Sequence, residues 1–145
     1  MASKRRRYRT RKINPTYYVF CEGKTEEAYV NLLKSHFRLA SIVIKSKVSG
    51  SNVSSDEIEK YRSYKETHEK DKVFLMYDGD ISTVVDRLMQ IDDAEKLIST
   101  PCIELWFLLH FKNQATTTSC KDCIQYLSNR AQYRKGKIPF DIQQK

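Results

Sequence analysis

Residues 73–77 (VFLMY) are the strongest strand candidate in the chain, and the polar triplet Asp78-Gly79-Asp80 ends the run. A run that is apolar at every position is typical of a central strand in a parallel sheet, because helices cover both faces of such a strand. Residues 17–21 (YYVFC), bounded by Pro15 and Gly23, predict a second short buried strand. Two strands of this kind favour an α/β fold.

Between these runs the spacing of the apolar residues alternates between the periods of helices and strands. Residues 42–48 and 96–98 predict two further strands. Predicted helices cover residues 25–39, residues 54–70 with Ser54 and Glu57 as a capping box, residues 83–89, a segment opening at Pro101 with Thr100 as its cap, and residues 120–132. This alternation predicts an open, mainly parallel sheet of about four strands with helices on both faces. Residues 17–21 and 73–77 should be its adjacent central strands.

The 145 residues suffice for one domain, which we assign to residues 15–145, preceded by a basic arm at residues 1–14. The chain has 26 basic residues, so 19 remain against 18 acidic residues once the arm is set aside. An uninterrupted basic block suits the phosphate backbone of nucleic acid, although a solubilising tail has the same composition. The basic residues of the arm are Lys4, Arg5, Arg6, Arg7, Arg9, Arg11 and Lys12.

No apolar run approaches the length of about 18 residues that a membrane span needs, and the first residues lack the apolar segment of a signal peptide. We therefore expect a cytoplasmic protein without a membrane partner. In that compartment the four cysteines are expected to be reduced thiols. Cys120 and Cys123 form a single Cys-x-x-Cys without a second pair at zinc spacing, which favours thiols over a zinc site.

The triplet Gly23-Lys24-Thr25 has the form of the end of a phosphate-binding P-loop. That loop also needs a glycine five positions before the Gly-Lys pair, since bare backbone N–H groups must approach the phosphate. Tyr18 occupies the position, inside a predicted strand, so a P-loop is excluded.

Acidic residues follow both predicted central strands. Glu22 comes directly after the first strand with Glu26 four residues later, and Asp78 and Asp80 follow the other strand, while Glu104 lies early in the helix after Pro101. Sites of open α/β sheets lie at the carboxyl ends of the strands, so these carboxylates should share one crevice. Clustered carboxylates suit Mg²⁺ or Mn²⁺, which activate water and assist phosphoryl displacement. The alternative is an ordinary turn at the aspartates and dipole-satisfying acids at a helix N-terminus.

Three segments, "VFCEGKTEEAYV", "VFLMYDGD" and "STPCIELWFLLHF", resemble the motifs of the RloB-like family within the TOPRIM superfamily in order, spacing and flanking residues. The resemblance covers residues 17–111 and implies a TOPRIM-like, Rossmann-like fold related to OLD-type nucleases. It also implies a metal-dependent nuclease of the phage-defence type, with Mg²⁺ or Mn²⁺ as cofactor and DNA or RNA as substrate. A co-encoded defence ATPase or a second copy of the chain is a further partner that it suggests.

The resemblance also implies roles for individual residues. Glu22 matches the catalytic or metal-binding glutamate of the family, and Asp78 and Asp80 match its metal-binding aspartates. Glu26 matches a second glutamate of OLD-type relatives.

A Ser-then-Glu feature of the same relatives matches Ser99 and Glu104. This match places Ser99 beside the metal. It also adds Glu104 to Glu22, Asp78 and Asp80 as a fourth candidate catalytic residue. Relatives continue with another helix and strand where this sequence ends, and the lysine that they use near the site matches Lys135.

Two classes of function remain open from the sequence: a metal-dependent nuclease, and a catalytically inactive TOPRIM-like module that binds nucleic acid or a partner. Lys24 would contact substrate phosphate or pair with Glu26, and His110 would cap its helix or contact phosphate. The aromatic and apolar residues 106–109 are interpreted as core rather than as a base-stacking platform.

Overall fold

Four parallel strands form the sheet at the centre of the computed structural model, which describes residues 13–131. The strands are β1 (Thr16–Cys21), β2 (Val43–Val48), β3 (Lys72–Asp78) and β4 (Glu95–Ser99). Their order is β2-β1-β3-β4, so β1 and β3 are the adjacent central strands, as the sequence predicts. Because all the pairings are parallel, the carboxyl ends of the strands lie at one edge of the sheet.

Five α-helices are found among the described residues and they cover both faces of this sheet, which confirms the expected α/β architecture. The helices are α1 (Lys24–Phe37), α2 (Ser55–Ser63), α3 (Ser82–Met89), α4 (Ile103–Leu109) and α5 (Cys120–Ala131), with a 3₁₀ turn at Gly50–Asn52. None of the helices in this part of the chain is both long enough and apolar enough to cross a membrane.

Alternate residues of the central strands point to opposite faces of the sheet, and helices pack on both faces. Tyr18, Phe20 and Leu75 face α2 and α3 and pack with Ile58 and Leu88. Burial of each large apolar side chain contributes about 1.5–3 kcal/mol to stability, so this core holds α2 and α3 firmly on the sheet.

On the opposite face, α4 and α5 form a core with α1. Tyr29 of α1 packs on Phe107 of α4, with ring centroids 5.5 Å apart, and Cys123 and Leu127 of α5 complete the cluster. Val30 of α1 packs separately on the sheet itself. This core determines where α4 lies relative to the strand ends.

Helix α2 ends at Ser63, seven residues earlier than the sequence predicts. The chain turns back because Asp71 is anchored at the start of β1, where its carboxylate accepts hydrogen bonds from the backbone N–H groups of Thr16 (2.6 Å) and His68 (2.9 Å). Only one of the two hydrogen bonds of the predicted capping box forms. Ser54 Oγ accepts from Glu57 N at 3.3 Å, whereas the Glu57 carboxylate binds Lys47 Nζ at 2.7 Å.

Thr100 does not cap α4, contrary to the sequence prediction. The helix begins after Cys102, whose backbone is extended, and its first N–H, that of Ile103, donates to Asp78 Oδ1 at 2.9 Å. The side chain of Thr100 instead lies close to Gly79. An aspartate of β3 therefore takes the role expected of the threonine.

Helix α4 is only partly a core helix, so the interpretation of residues 106–109 as core is right for two residues and wrong for two. Phe107 and Leu108 are buried, whereas Trp106 is 48% exposed and Leu109 is 44% exposed. With 3.6 residues per turn, Trp106 and Leu109 share the outer face of the helix. Trp106 Nε1 donates to the hydroxyl of Tyr29 at 2.6 Å, which orients the indole at the surface.

Candidate active site

A cavity of about 350 Å³ opens at the carboxyl ends of β1 and β3. It contains the five acidic residues predicted to converge there. Its walls come from the turn after β1, the turn after β3, and the starts of α4 and α5. The lining residues are Glu22, Gly23, Lys24, Thr25, Glu26, Asp78, Asp80, Cys102, Glu104, Cys120 and Ile124.

Glu22 connects the two central strands at the bottom of this cavity. Its backbone N–H donates to Met76 O at 3.1 Å, which continues the ladder between β1 and β3 by one residue. Its carboxylate Oε2 accepts from the backbone N–H of Asp78 at 3.0 Å. The first acidic residue is thus fixed directly beside the second strand end.

Glu26 is buried, with 5% of its surface exposed, in the first turn of α1. Its Oε2 accepts from the backbone N–H of Gly23 at 3.0 Å, which satisfies one of the free N–H groups at the helix start. Burial raises the pKa of this carboxyl, and the charges of Glu22 and Glu104 raise it further, against the effect of the backbone hydrogen bonds. Glu26 therefore both caps the helix and adds negative charge to the cavity.

Asp78 is the acidic residue with the largest pKa shift at the site. Burial, followed by the charges of Glu26, Glu104 and Glu22, raises its pKa from 3.8 to about 7, and the hydrogen bond from Ile103 N opposes this shift. Desolvation and like charges both favour the neutral carboxyl. A cation bound among these groups would reverse the effect of the like charges.

Gly79 is required by close packing between the two aspartates. Its N–H donates to Ser99 O at 2.8 Å, and a Cβ here would overlap Thr100 Oγ1 and lie 3.0 Å from Ile98 Cγ2. The tight turn leaves Asp80 exposed at the mouth of the cavity while Asp78 is half-buried inside it.

Glu104 reaches the cavity from α4 and is 4% exposed. Two cysteines, Cys102 and Cys120, line the cavity together with Glu104. Burial, the largest cause, raises the pKa of both thiols, so they line the cavity as neutral groups. Neither cysteine is predicted as a site residue from the sequence, where the only signal is the position of Cys102 two residues before Glu104.

The other predicted site residues differ in where they lie. Lys24 lines the cavity and is exposed at its mouth. Ser99 pairs with Asp78 in the sheet register but does not line the cavity. His110 caps the end of α4 and contacts Trp106, with ring centroids 5.5 Å apart, and is likewise not part of the cavity wall. Two other predictions lie outside the described residues, namely residues 1–12 of the basic arm and Lys135.

The donor set of the cavity fits a hard divalent cation. Within residues 13–131, no three His, Cys, Asp or Glu side chains are already arranged to hold a metal ion. Mg²⁺ does not require such a group, because it is usually bound through one or two carboxylates together with water and substrate phosphate oxygens. The carboxylate oxygens of Glu22, Asp78 and Asp80 are donors of this kind.

The family model described as RloB-like protein matches residues 17–145 of this chain. No curated protein and no solved structure matches the chain. The matched region contains β3, all of β1 after Thr16, the five carboxylates of the cavity and every helix that the structure describes. The chain therefore belongs to the RloB-like family.

Proposed function

We propose that this protein is a divalent-metal-dependent nuclease that hydrolyses phosphodiester bonds of DNA or RNA. The observation that carries the proposal is the convergence of carboxylates from β1, β3 and α4 in one open cavity, where Asp78 has a pKa raised to about 7. Perturbed carboxylates in a cleft are typical of catalytic sites, and an ion pair does not explain the raised pKa of Asp78, because the charged neighbours that act on it are all acidic.

Glu22, Asp78 and Asp80 would hold Mg²⁺ or Mn²⁺, with Glu104 and Glu26 as further acidic groups facing the same space. When bound, the metal would lower the pKa of a water molecule and offset negative charge on the phosphoryl group. The protein fixes its own ligands before the substrate arrives. The hydrogen bonds from Asp78 N to Glu22 and from Ile103 N to Asp78 orient two of the carboxylates.

Two charged residues, Asp80 and Lys24, lie at the mouth of the cavity, where the phosphate backbone of the nucleic acid would enter. The ammonium group of Lys24 supplies the one cation in the cavity wall among the described residues, and it would contact a phosphate oxygen of the substrate. The mouth is open and polar, which suits a long substrate rather than a small enclosed one.

A role in phage defence, with a co-encoded ATPase or a second copy as partner, is part of the same proposal and is supported by family membership. The arm and Lys135 would add contacts to nucleic acid, because a basic segment binds phosphate without reading sequence.

Cleavage of end-labelled DNA and RNA, single-stranded and duplex, tests the proposal. We expect shortened products with Mg²⁺ or Mn²⁺ and none with EDTA, because the carboxylates repel phosphate unless a cation neutralises them. Asp86, an exposed aspartate of α3 outside the cavity, provides a control variant, Asp86→Asn, that should cleave as the wild type does.

The second candidate is an inactive module that binds nucleic acid or a partner. The absence of a preformed three-ligand group within residues 13–131 favours it. Binding of nucleic acid without any cleavage in Mn²⁺, across all four substrates, would select this function over the nuclease.

A further inference from the structure

Helix α1 begins inside the acidic cavity, and the triplet Gly23-Lys24-Thr25 forms its start. All three residues line the cavity wall, although they are not part of a P-loop. Gly23 is the N-cap and its backbone is extended, with φ −139° and ψ −172°. The aligned peptide dipoles of a 14-residue helix place partial positive charge at this end. The cavity therefore contains a helix N-terminus beside its carboxylates.

Gly23 leaves the start of α1 without a side-chain cap. A serine, threonine or aspartate at this position would usually accept a hydrogen bond from the second or third N–H group of the helix. Glycine has no such oxygen, and the carboxylate of Glu26 binds the N–H of Gly23 itself, at 3.0 Å. Within residues 13–131 the backbone N–H groups of Lys24 and Thr25 have no acceptor. Both N–H groups are therefore available to an anion.

The hydroxyl of Thr25 is a third available donor. Thr25 is only 9% exposed, and its hydroxyl has no hydrogen-bond partner among residues 13–131. In the same part of the chain no fully buried side-chain oxygen lacks a partner, so this hydroxyl must retain access to solvent. The cavity that Thr25 lines provides this access, and the hydroxyl faces it. An almost buried hydroxyl without a protein partner at the start of a helix points to a ligand.

Lys24 adds a positive charge to the same place. Its side chain is exposed at the mouth of the cavity. The ion pairs of the described residues are Lys47–Glu57 and Lys72–Glu95, so no carboxylate in that part of the chain is paired with Lys24. Free backbone N–H groups, a hydroxyl and an ammonium group at a helix N-terminus are the donors that a phosphate group accepts from.

We propose that the start of α1 binds a phosphate group of the nucleic-acid substrate next to the metal-binding carboxylates. The donors are the N–H groups of Lys24 and Thr25, the hydroxyl of Thr25 and the ammonium group of Lys24. The inference rests on the proposed function and identifies the residues that hold the substrate at that site. A complete P-loop is not needed for this purpose, because its longer loop surrounds several phosphates of a nucleotide and a nucleic-acid strand presents them singly.

The acidic residues of the cavity make this binding dependent on a cation. Glu22 and Glu26 line the same wall and repel a phosphate group. A divalent cation held by the carboxylates offsets this repulsion, and phosphate oxygens are among the ligands that complete the coordination of Mg²⁺. The cation and the phosphate should therefore bind cooperatively.

Binding measured in Ca²⁺, under conditions where the nucleic acid stays intact, tests this site separately from cleavage. Ca²⁺ shares the preference of Mg²⁺ for oxygen ligands. In two-dimensional NMR spectra of the wild type, the amide signals of Lys24 and Thr25 should shift on addition of dimethyl phosphate, a free phosphodiester. They should also shift on addition of a single-stranded oligonucleotide of DNA or RNA. The oligonucleotide should saturate the shift at a lower concentration, because it makes further contacts.

The Thr25→Val protein should bind a fluorescent oligonucleotide at least about tenfold more weakly than the wild type, the usual effect of losing one hydrogen bond to a charged group. Its thermal unfolding temperature should be unchanged, because the hydroxyl has no partner within residues 13–131. Thr25→Ser keeps the hydroxyl and should restore binding. The matched control is Thr67→Val, an exposed threonine in the loop that leads into β3 at the opposite edge of the sheet, which should bind as the wild type does.

Unshifted amide signals of Lys24 and Thr25 would overturn the proposal, and this measurement on the wild type holds even if Thr25→Val does not fold. Equal affinities of the wild type and Thr25→Val would overturn it too, as would shifts with dimethyl phosphate but none with the oligonucleotide. If the wild type cleaves in Mg²⁺ while Thr25→Val binds normally, the nuclease stands and this site fails. If binding depends on Thr25 and no cleavage occurs in Mn²⁺, this site stands and the nuclease fails.

Discussion

We expect the Asp78→Asn protein to cleave DNA or RNA at least about 1,000-fold more slowly than the wild type. Replacing the carboxylate by an amide removes a negative charge from the group that would hold the cation. Loss of a metal's contribution costs several kcal/mol of transition-state stabilisation, and each 1.36 kcal/mol is a factor of ten in rate. The measurement is the single-turnover rate of cleavage of an end-labelled oligonucleotide in saturating Mg²⁺.

The fold should survive this substitution, because the amide oxygen of Asn can still accept the hydrogen bond from Ile103 N that Asp78 Oδ1 accepts. Nucleic-acid binding should persist or tighten, since a carboxylate that repels phosphate has been removed. Asp86→Asn, the same change on the exposed surface of α3, should have the wild-type rate. Wild-type cleavage by purified Asp78→Asn would exclude this residue as a metal-binding catalytic group.

The Phe107→Ala protein should be less stable than the wild type by about 3–5 kcal/mol, the usual cost of removing a fully buried phenyl ring. Phe107 is 0% exposed and packs with Tyr29, Leu127 and Cys123 between α1, α4 and α5. A loss of this size is a large part of the 5–15 kcal/mol that typically stabilises a domain. Denaturant unfolding of both proteins measures the difference.

The matched control is Phe37→Ala, because Phe37 lies at the end of the neighbouring α1 and is 61% exposed. Surface substitutions usually change stability by no more than about 0.5 kcal/mol, so the two phenylalanines should differ several-fold in cost. Equal costs at both positions would mean that the core beneath α4 is not packed as described. Since α4 carries Glu104, we also expect Phe107→Ala to lower the cleavage rate.

The central strands could be predicted from the sequence because burial on both faces leaves an uninterrupted apolar run, as at residues 17–21 and 73–77. The ends of helices could not be predicted equally well. Helix α2 stops early because Asp71 must reach Thr16 N, and α4 begins late because Asp78 binds its first N–H. Both boundaries are set by partners that are distant in the sequence.

The same distinction applies to the site. Glu22, Asp78 and Asp80 were predictable because they directly follow strands that must end at one edge of a parallel sheet. Cys102 and Cys120 were missed because only the packing of α5 against α4 brings them to the cavity. Ser99 was placed beside the metal by resemblance, but in the structure it extends β4 alongside Asp78 instead of lining the cavity.

The protonation of Asp78 also affects the stability of the folded protein, and this effect can be measured without substrate. In the folded protein the pKa of Asp78 is about 7, whereas its ordinary value is 3.8. Between these values the folded state binds more protons than the unfolded state, so the contribution of this group to stability falls as the pH rises through that window. Above pH 7 the folded protein carries a charged, half-buried carboxylate among other acids, which a divalent cation would stabilise.

The most direct test of a divalent-cation site is therefore thermal unfolding with and without about 10 mM Mg²⁺ at pH 5 and pH 8. If the dissociation constant is about 1 mM, Mg²⁺ should stabilise the wild type by about 1.4 kcal/mol at pH 8. That corresponds to a rise of roughly 4 °C in Tm, and we expect a much smaller rise at pH 5 and for Asp78→Asn at either pH. No rise at pH 8, or the same rise in the wild type and Asp78→Asn, would contradict a metal site at these carboxylates.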